Sequence, residues 1–158
     1  MTENQSRLLL DVEGYVSDLF LNKVNKSIRF HNLAHTQGVV VGCEEIAHYY
    51  QLNEEDHLAL IVAAWFHDTG FSSGNAHGHE EVSIRLATNF LKEHNADPAF
   101  IKKITFLIDA TKMPQSPKNL LEQILCDADL FHLGTDEFAE RNRLLREELV
   151  EFSKQDIS

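Results

Sequence analysis

The run His57-LALIVAAWF-His67 constrains this chain more than any other stretch, because it is apolar on every side at helical spacing. A helix without a polar face has no place at a surface, so other helices must surround it. Just ahead of it stand Asn53, Glu54, Glu55 and Asp56. The asparagine offers an oxygen to orphan amides, and the acids complement the positive end of the helix dipole. The pattern predicts a central helix over residues 54–68.

Elsewhere the apolar spacing is also helical, with Leu8, Val12, Val16, Leu19 and Phe20 in one segment, then Val82, Leu86 and Phe90, then Phe100, Ile104, Leu107 and Ile108. Nothing alternates with the period of two that a half-buried strand requires. The expected class is an all-α bundle, with helices over residues 5–22, 36–51, 54–68, 79–95, 98–110, 117–131 and 137–154. Asp97-Pro98 and Ser116-Pro117 each read as an N-cap followed by a first-turn proline, with Pro114 in the loop before the second pair. No repeat or linker divides the chain, so residues 1–158 read as a single domain. The longest irregular piece, residues 69–78, holds three of the seven glycines and follows the buried helix, as a loop at the mouth of a site would.

Charge narrows the partners. Fourteen basic against 25 acidic side chains leave a formal balance of −11, which disfavours broad binding to nucleic acid or to anionic membrane. Cys43 and Cys126 form no disulfide framework and are expected in the core. The opening MTENQSRLLLDVEG lacks a basic start and a long apolar run, so neither a signal peptide nor a membrane span is expected, and the expected location is the cytoplasm.

Nine histidines raise the question of which point to one place. His67-Asp68 closes the buried helix, where neither group is tolerated without compensation, and the pair suits either a metal or a simple mutual hydrogen bond. His31 and His35, four positions apart, share a helical face if the helix begins that early. His35 is then placed to bind a metal and His31 to stand beside it. Asp127 and Asp129 interrupt an apolar stretch from Leu120 to Leu133. Two positions apart they face nearly opposite sides of a helix, and spacing does not choose between them.

The order His35, then His67-Asp68, then Asp127 resembles the four-ligand signature of the HD superfamily of metal-dependent phosphohydrolases, over about residues 30 to 135. The resemblance implies an HD-domain helical bundle in which His35, His67, Asp68 and Asp127 bind a divalent metal, with Asp129 beside the ligands or capping a helix. Phe30-His31-Asn32-Leu33-Ala34-His35 is similar to the His-Asn-x-x-His motif of cyclic-nucleotide phosphodiesterases, whose first histidine protonates the leaving oxygen. That role falls to His31. The runs Ile108-Asp109-Ala110-Thr111-Lys112 and Asp127-Ala128-Asp129-Leu130 resemble a bacterial branch of HD phosphohydrolases without an assigned substrate. In related proteins a further histidine after the His-Asp pair binds a second metal or touches phosphate, and here His79, followed by Glu80 and Ser83, is similar, with His77 a second candidate. His48, His57, His94 and His132 match no motif position.

The activity so implied is hydrolysis of a phosphoester, expected to be that of a nucleotide, by metal-activated water. One or two ions per chain are expected, manganese, magnesium, iron, cobalt or nickel, since imidazole plus carboxylate suits all of them in differing degree. Asp68 bridges two ions if a second is bound, and Lys112 either holds a phosphate oxygen or simply favours a helix end. Two alternatives fit the same pattern: a di-iron centre that activates oxygen, and a nucleotide-binding regulatory module without turnover.

Overall fold

The computed structural model describes residues 2–22, 33–73, 78–112 and 115–130. Six α-helices appear among them: α1 (Glu3–Asn22), α2 (Leu33–Tyr50), α3 (Glu54–Phe66), α4 (His79–Glu93), α5 (Pro98–Ala110) and α6 (Leu120–Leu130). A short 3₁₀ helix, Thr69–Ser73, joins α3 towards α4. No strand occurs among the described residues, and none of their helices is long and apolar enough to cross a membrane. The expected all-α class holds; the helix expected over residues 137–154 lies outside the described residues.

Helix α3 is the axis of the fold. Every residue from Leu58 to Phe66 is buried, and α1, α2, α4, α5 and α6 all pack against it. Its start is built as the sequence suggests, Asn53 Oδ1 accepting the Asp56 N–H at 2.8 Å. Around it, Val12, Val16, Leu19 and Phe20 come from α1, and Phe100, Ile104, Leu107 and Ile108 from α5. Tyr15 of α1 sits between Phe66 and Phe90, with ring centroids 5.9 and 5.0 Å away. Both cysteines are free and buried, as expected.

Two helix starts move by three residues. Helix α2 begins at Leu33 rather than residue 36, which puts His35 inside its first turn. Helix α6 begins at Leu120 rather than at Pro117. Asn119, not Ser116, supplies the cap: its Oδ1 accepts the Glu122 N–H at 3.0 Å, while Glu122 reaches back to the Lys118 N–H at 3.0 Å. That reciprocal arrangement satisfies two donors and outcompetes a proline start. Asp97 and Pro98 do open α5 as expected, with Ala99 N–H donating to Asp97 Oδ1 at 3.0 Å.

The inward stripe of α4 also differs by one position. Ser83, Ala87, Phe90 and Leu91 are buried, whereas Val82 and Leu86 are only half-buried. Small residues at 83 and 87 let α4 lie close to the turn that ends α3. The 3₁₀ helix occupies the first half of the expected irregular loop, and residues 74–77 lie outside the described residues.

Candidate metal centre

Helix α3 ends at Phe66, and His67 and Asp68 leave it in the turn that follows. Adjacent side chains that would diverge by about 100° on a continuing helix can converge once the backbone turns away. His67 is fully buried and Asp68 is 3% exposed. His35 reaches them from the first turn of α2 and Asp129 from the last turn of α6. One ligand-capable atom from each of His35, His67, Asp68 and Asp129 lies within 4.8 Å of the other three.

The distances show how these groups face one another. His35 Nε2 is 2.9 Å from Asp129 Oδ1 and 3.6 Å from Asp68 Oδ2. His67 Nε2 lies 3.4 Å from both Asp68 Oδ2 and Asp129 Oδ1. The other nitrogen of His67 donates to Ala64 O at 2.6 Å, which fixes the ring and turns Nε2 towards the carboxylates. That Nε2 is buried and has no hydrogen-bond partner. A buried nitrogen left in this state between two acids fits a cation, and the set of two imidazoles with two carboxylates suits a divalent one.

Electrostatics agree. Burial pushes the His67 imidazole down, but the carboxylates of Asp68 and Asp129 and the Ala64 carbonyl outweigh it and lift its pKa to about 10. Burial pushes Asp129 up, yet His35 and His67 hold its carboxyl well below the ordinary carboxylate range. Without an ion, a protonated His67 stands between the two acids. Any metal must displace that positive charge.

The acid expected from the sequence as fourth ligand is not the one the structure brings to the cluster. Asp127 is exposed on α6 and accepts from Gln123 Nε2 at 2.8 Å, away from the cluster. Asp129, expected only beside the ligands, stands in the set instead. The cause is helical register: Ala128 packs at α2, within ordinary contact of where a Gly42 side chain would begin, and the position after it points to the His67 turn.

His79 opens α4 with its Nε2 3.7 Å from Asp68 Oδ1 and 2.9 Å from Glu80 Oε2. Its ring stacks on Phe71 at 4.2 Å. Beneath it, Ser83 was missed by sequence reasoning as a supporting residue: its buried Oγ accepts from Gly70 N at 2.7 Å and donates to His67 O at 3.0 Å. Gly70 must lack a side chain, because a Cβ there would run into the His79 backbone carbonyl. Helix α4 is thus fastened to the turn that carries His67 and Asp68. Lys112 is exposed beyond α5 and makes no ion pair among the described residues. His31 and His77 lie outside the described residues.

Comparison with known proteins covers the stretch that contains all four clustered residues. The HD domain family matches over residues 32–134, well over half of the chain. The chain belongs to the HD-domain family. The crystal structure of a predicted HD superfamily hydrolase from an uncultured Thermotogales bacterium is similar in fold, with a TM-score of 0.68 at 20% identity, covering 92% of this chain and 89% of that one. No curated protein matches.

Proposed function

We propose that this HD-domain chain is a metal-dependent hydrolase of phosphoesters, with a nucleotide as substrate class and His35, His67, Asp68 and Asp129 as the metal ligands. The observation that carries the reading is the convergence of those four side chains, two of them from the His-Asp pair, with His67 Nε2 buried and without a hydrogen bond. Similarity in fold to a predicted HD superfamily hydrolase points the same way.

A divalent ion in such a site supplies an acidified water and positive charge for a phosphoryl oxygen. The chain's own residues do the rest. Ala64 O holds His67 in the tautomer that leaves Nε2 as a donor atom. Asp129, the most exposed of the four at 17%, marks the side from which solvent and substrate arrive. His31 would deliver a proton to the leaving oxygen, a role commonly worth about 10²- to 10⁴-fold. Lys112 would steady a phosphate oxygen from the rim. His79 beside the second oxygen of Asp68 favours room for a second ion, which keeps the di-iron alternative in view.

The test is turnover of nucleotide monoesters, cyclic nucleotides and nucleoside polyphosphates by manganese-loaded protein, with Asp68→Ala as control. Product from the parent alone is expected. Silence across the panel with manganese bound would overturn the hydrolase, and iron near two per chain with an oxygen-dependent spectral change would replace it by oxygen chemistry. His31→Ala should retain metal and lose mainly rate.

A further inference from the structure

A metal-binding carboxylate has two oxygens, and which one enters the site depends on what holds the other. In Asp129 the two are differently engaged. Oδ1 faces inward, 2.9 Å from His35 Nε2 and 3.4 Å from His67 Nε2. Oδ2 accepts from Gln115 Nε2 at 3.1 Å. Gln115 is half-buried in the segment between α5 and α6, on an element that contributes none of the four clustered residues.

We infer that Gln115 is a positioning residue that fixes the Asp129 carboxylate so that only Oδ1 is offered to a bound divalent cation. This rests on the metal-site reading above. Three features support it. The contact joins residues 14 positions apart through side chains only, so it is not a by-product of local helical hydrogen bonding. The donor is a neutral amide, which orients the carboxylate without adding a competing positive charge, as a lysine would. Asp129 is also the most exposed of the four clustered side chains, 17% against 4% or less, so it has the greatest freedom to rotate out towards water. The other three are held by burial, and this one needs a tether.

Asp127 provides an internal contrast. It too accepts from a glutamine, Gln123, but that bond spans one turn of the same exposed helix face and leads nowhere near the histidines. A glutamine on an aspartate is therefore not in itself informative. What matters is that Gln115 acts from another segment on the outward oxygen of an acid whose inward oxygen touches both imidazoles.

The experiment measures Mn²⁺ affinity of the intact chain by the electron paramagnetic resonance signal of free Mn²⁺, for the parent, Gln115→Met and Ser116→Ala. Methionine keeps the length and most of the volume of glutamine but removes the donor. Ser116 is exposed in the same segment, so its variant reports on disturbance of that segment. The expected result is about tenfold to a hundredfold weaker Mn²⁺ binding by Gln115→Met, the usual cost of losing such a ligand-orienting bond. The melting temperature of the metal-free protein and the affinity of Ser116→Ala should stay at parental values. Parental affinity in Gln115→Met would overturn the inference, as would equal losses in both variants or a fall in metal-free stability that accounts for the loss. A parent that binds no Mn²⁺ would instead sink the metal-site reading itself.

Discussion

Helix α3 begins and ends near a histidine facing carboxylate, and the two ends differ in everything except that imidazole–carboxylate chemistry. His57, in the first turn, lies 2.6 Å from Glu44 Oε2, with the side chains 27% and 45% exposed. His67, just past the last turn, is 3.4 Å from each of two acids and essentially inaccessible. The shorter contact is the less consequential one. Exposed pairs of this kind contribute about 0–1 kcal/mol, because water and salt screen them. At the other end, burial makes the same chemistry costly unless further groups converge, and His35 and Asp129 do so from two other helices. Convergence under burial, not proximity of one pair, distinguishes a candidate site from a surface bridge.

Removing a converging acid should break that difference most severely. Asp129→Ala and Asp68→Ala are each expected to lower Mn²⁺ affinity by more than the roughly 10- to 100-fold typical of an outer supporting residue, with turnover lost alongside. Asp127→Ala should match the parent in both. Equilibrium dialysis with Mn²⁺ separates the two outcomes, and a loss in Asp127→Ala with binding retained in Asp129→Ala would reverse the assignment.

Next in size is the support beneath the site. Gly70→Ala forces a Cβ against the His79 carbonyl, so it should destabilise the protein by about 1–3 kcal/mol, as overpacking does. Urea unfolding of the metal-free chain reads this directly. Parental stability would mean that α4 is free to move away from the turn.

A subtler difference lies in pH. The His67 pKa, about 10, is above the ordinary 6.5, so the protonated ring stabilises the metal-free fold fully below pH 6.5, and that contribution fades as pH rises through 10. A ligating imidazole must be neutral. Metal binding should therefore release a proton near pH 7, and Mn²⁺ affinity should rise with pH across this window. Calorimetry in buffers of different ionisation enthalpy counts the protons, and none released would show that His67 is neutral without metal.

The smallest effect belongs to the exposed end. Glu44→Ala should change stability by no more than about 1 kcal/mol and leave Mn²⁺ affinity unchanged. A larger change in affinity would mean that the two ends of α3 are coupled.

Much of this architecture follows from local pattern. Leu58 to Phe66 had to be central because no face of that helix is polar, and Asn53 and Asp97 had to cap because their side chains reach amides that nothing else satisfies. His35, His67 and Asp68 are nominated by residue type together with their resemblance to the HD ligand order. Local pattern was weaker where two choices share the same chemistry. Ser116-Pro117 reads as a helix start, yet Asn119 caps α6 because Glu122 reaches back to the Lys118 N–H. Val82 and Leu86 looked like the inward stripe of α4, yet Ser83 and Ala87 took it because the turn after α3 needs a close neighbour and a hydroxyl.

What the amino-acid order determined by itself is a set of helices with one apolar axis and metal-capable residues at its end, since propensity, capping and periodicity act within a few residues. Tertiary structure alone decided which acid joins the histidines. Asp127 and Asp129 are equivalent in charge and nearly so in neighbours, and the choice depends on how α6 is rotated against α2 and α3, which is set by contacts such as Ala128 on the bare backbone of Gly42. The same rotation brings Gln115 to the outer oxygen of Asp129. Such a rotation is the sum of packing over several helices, and no short segment contains it.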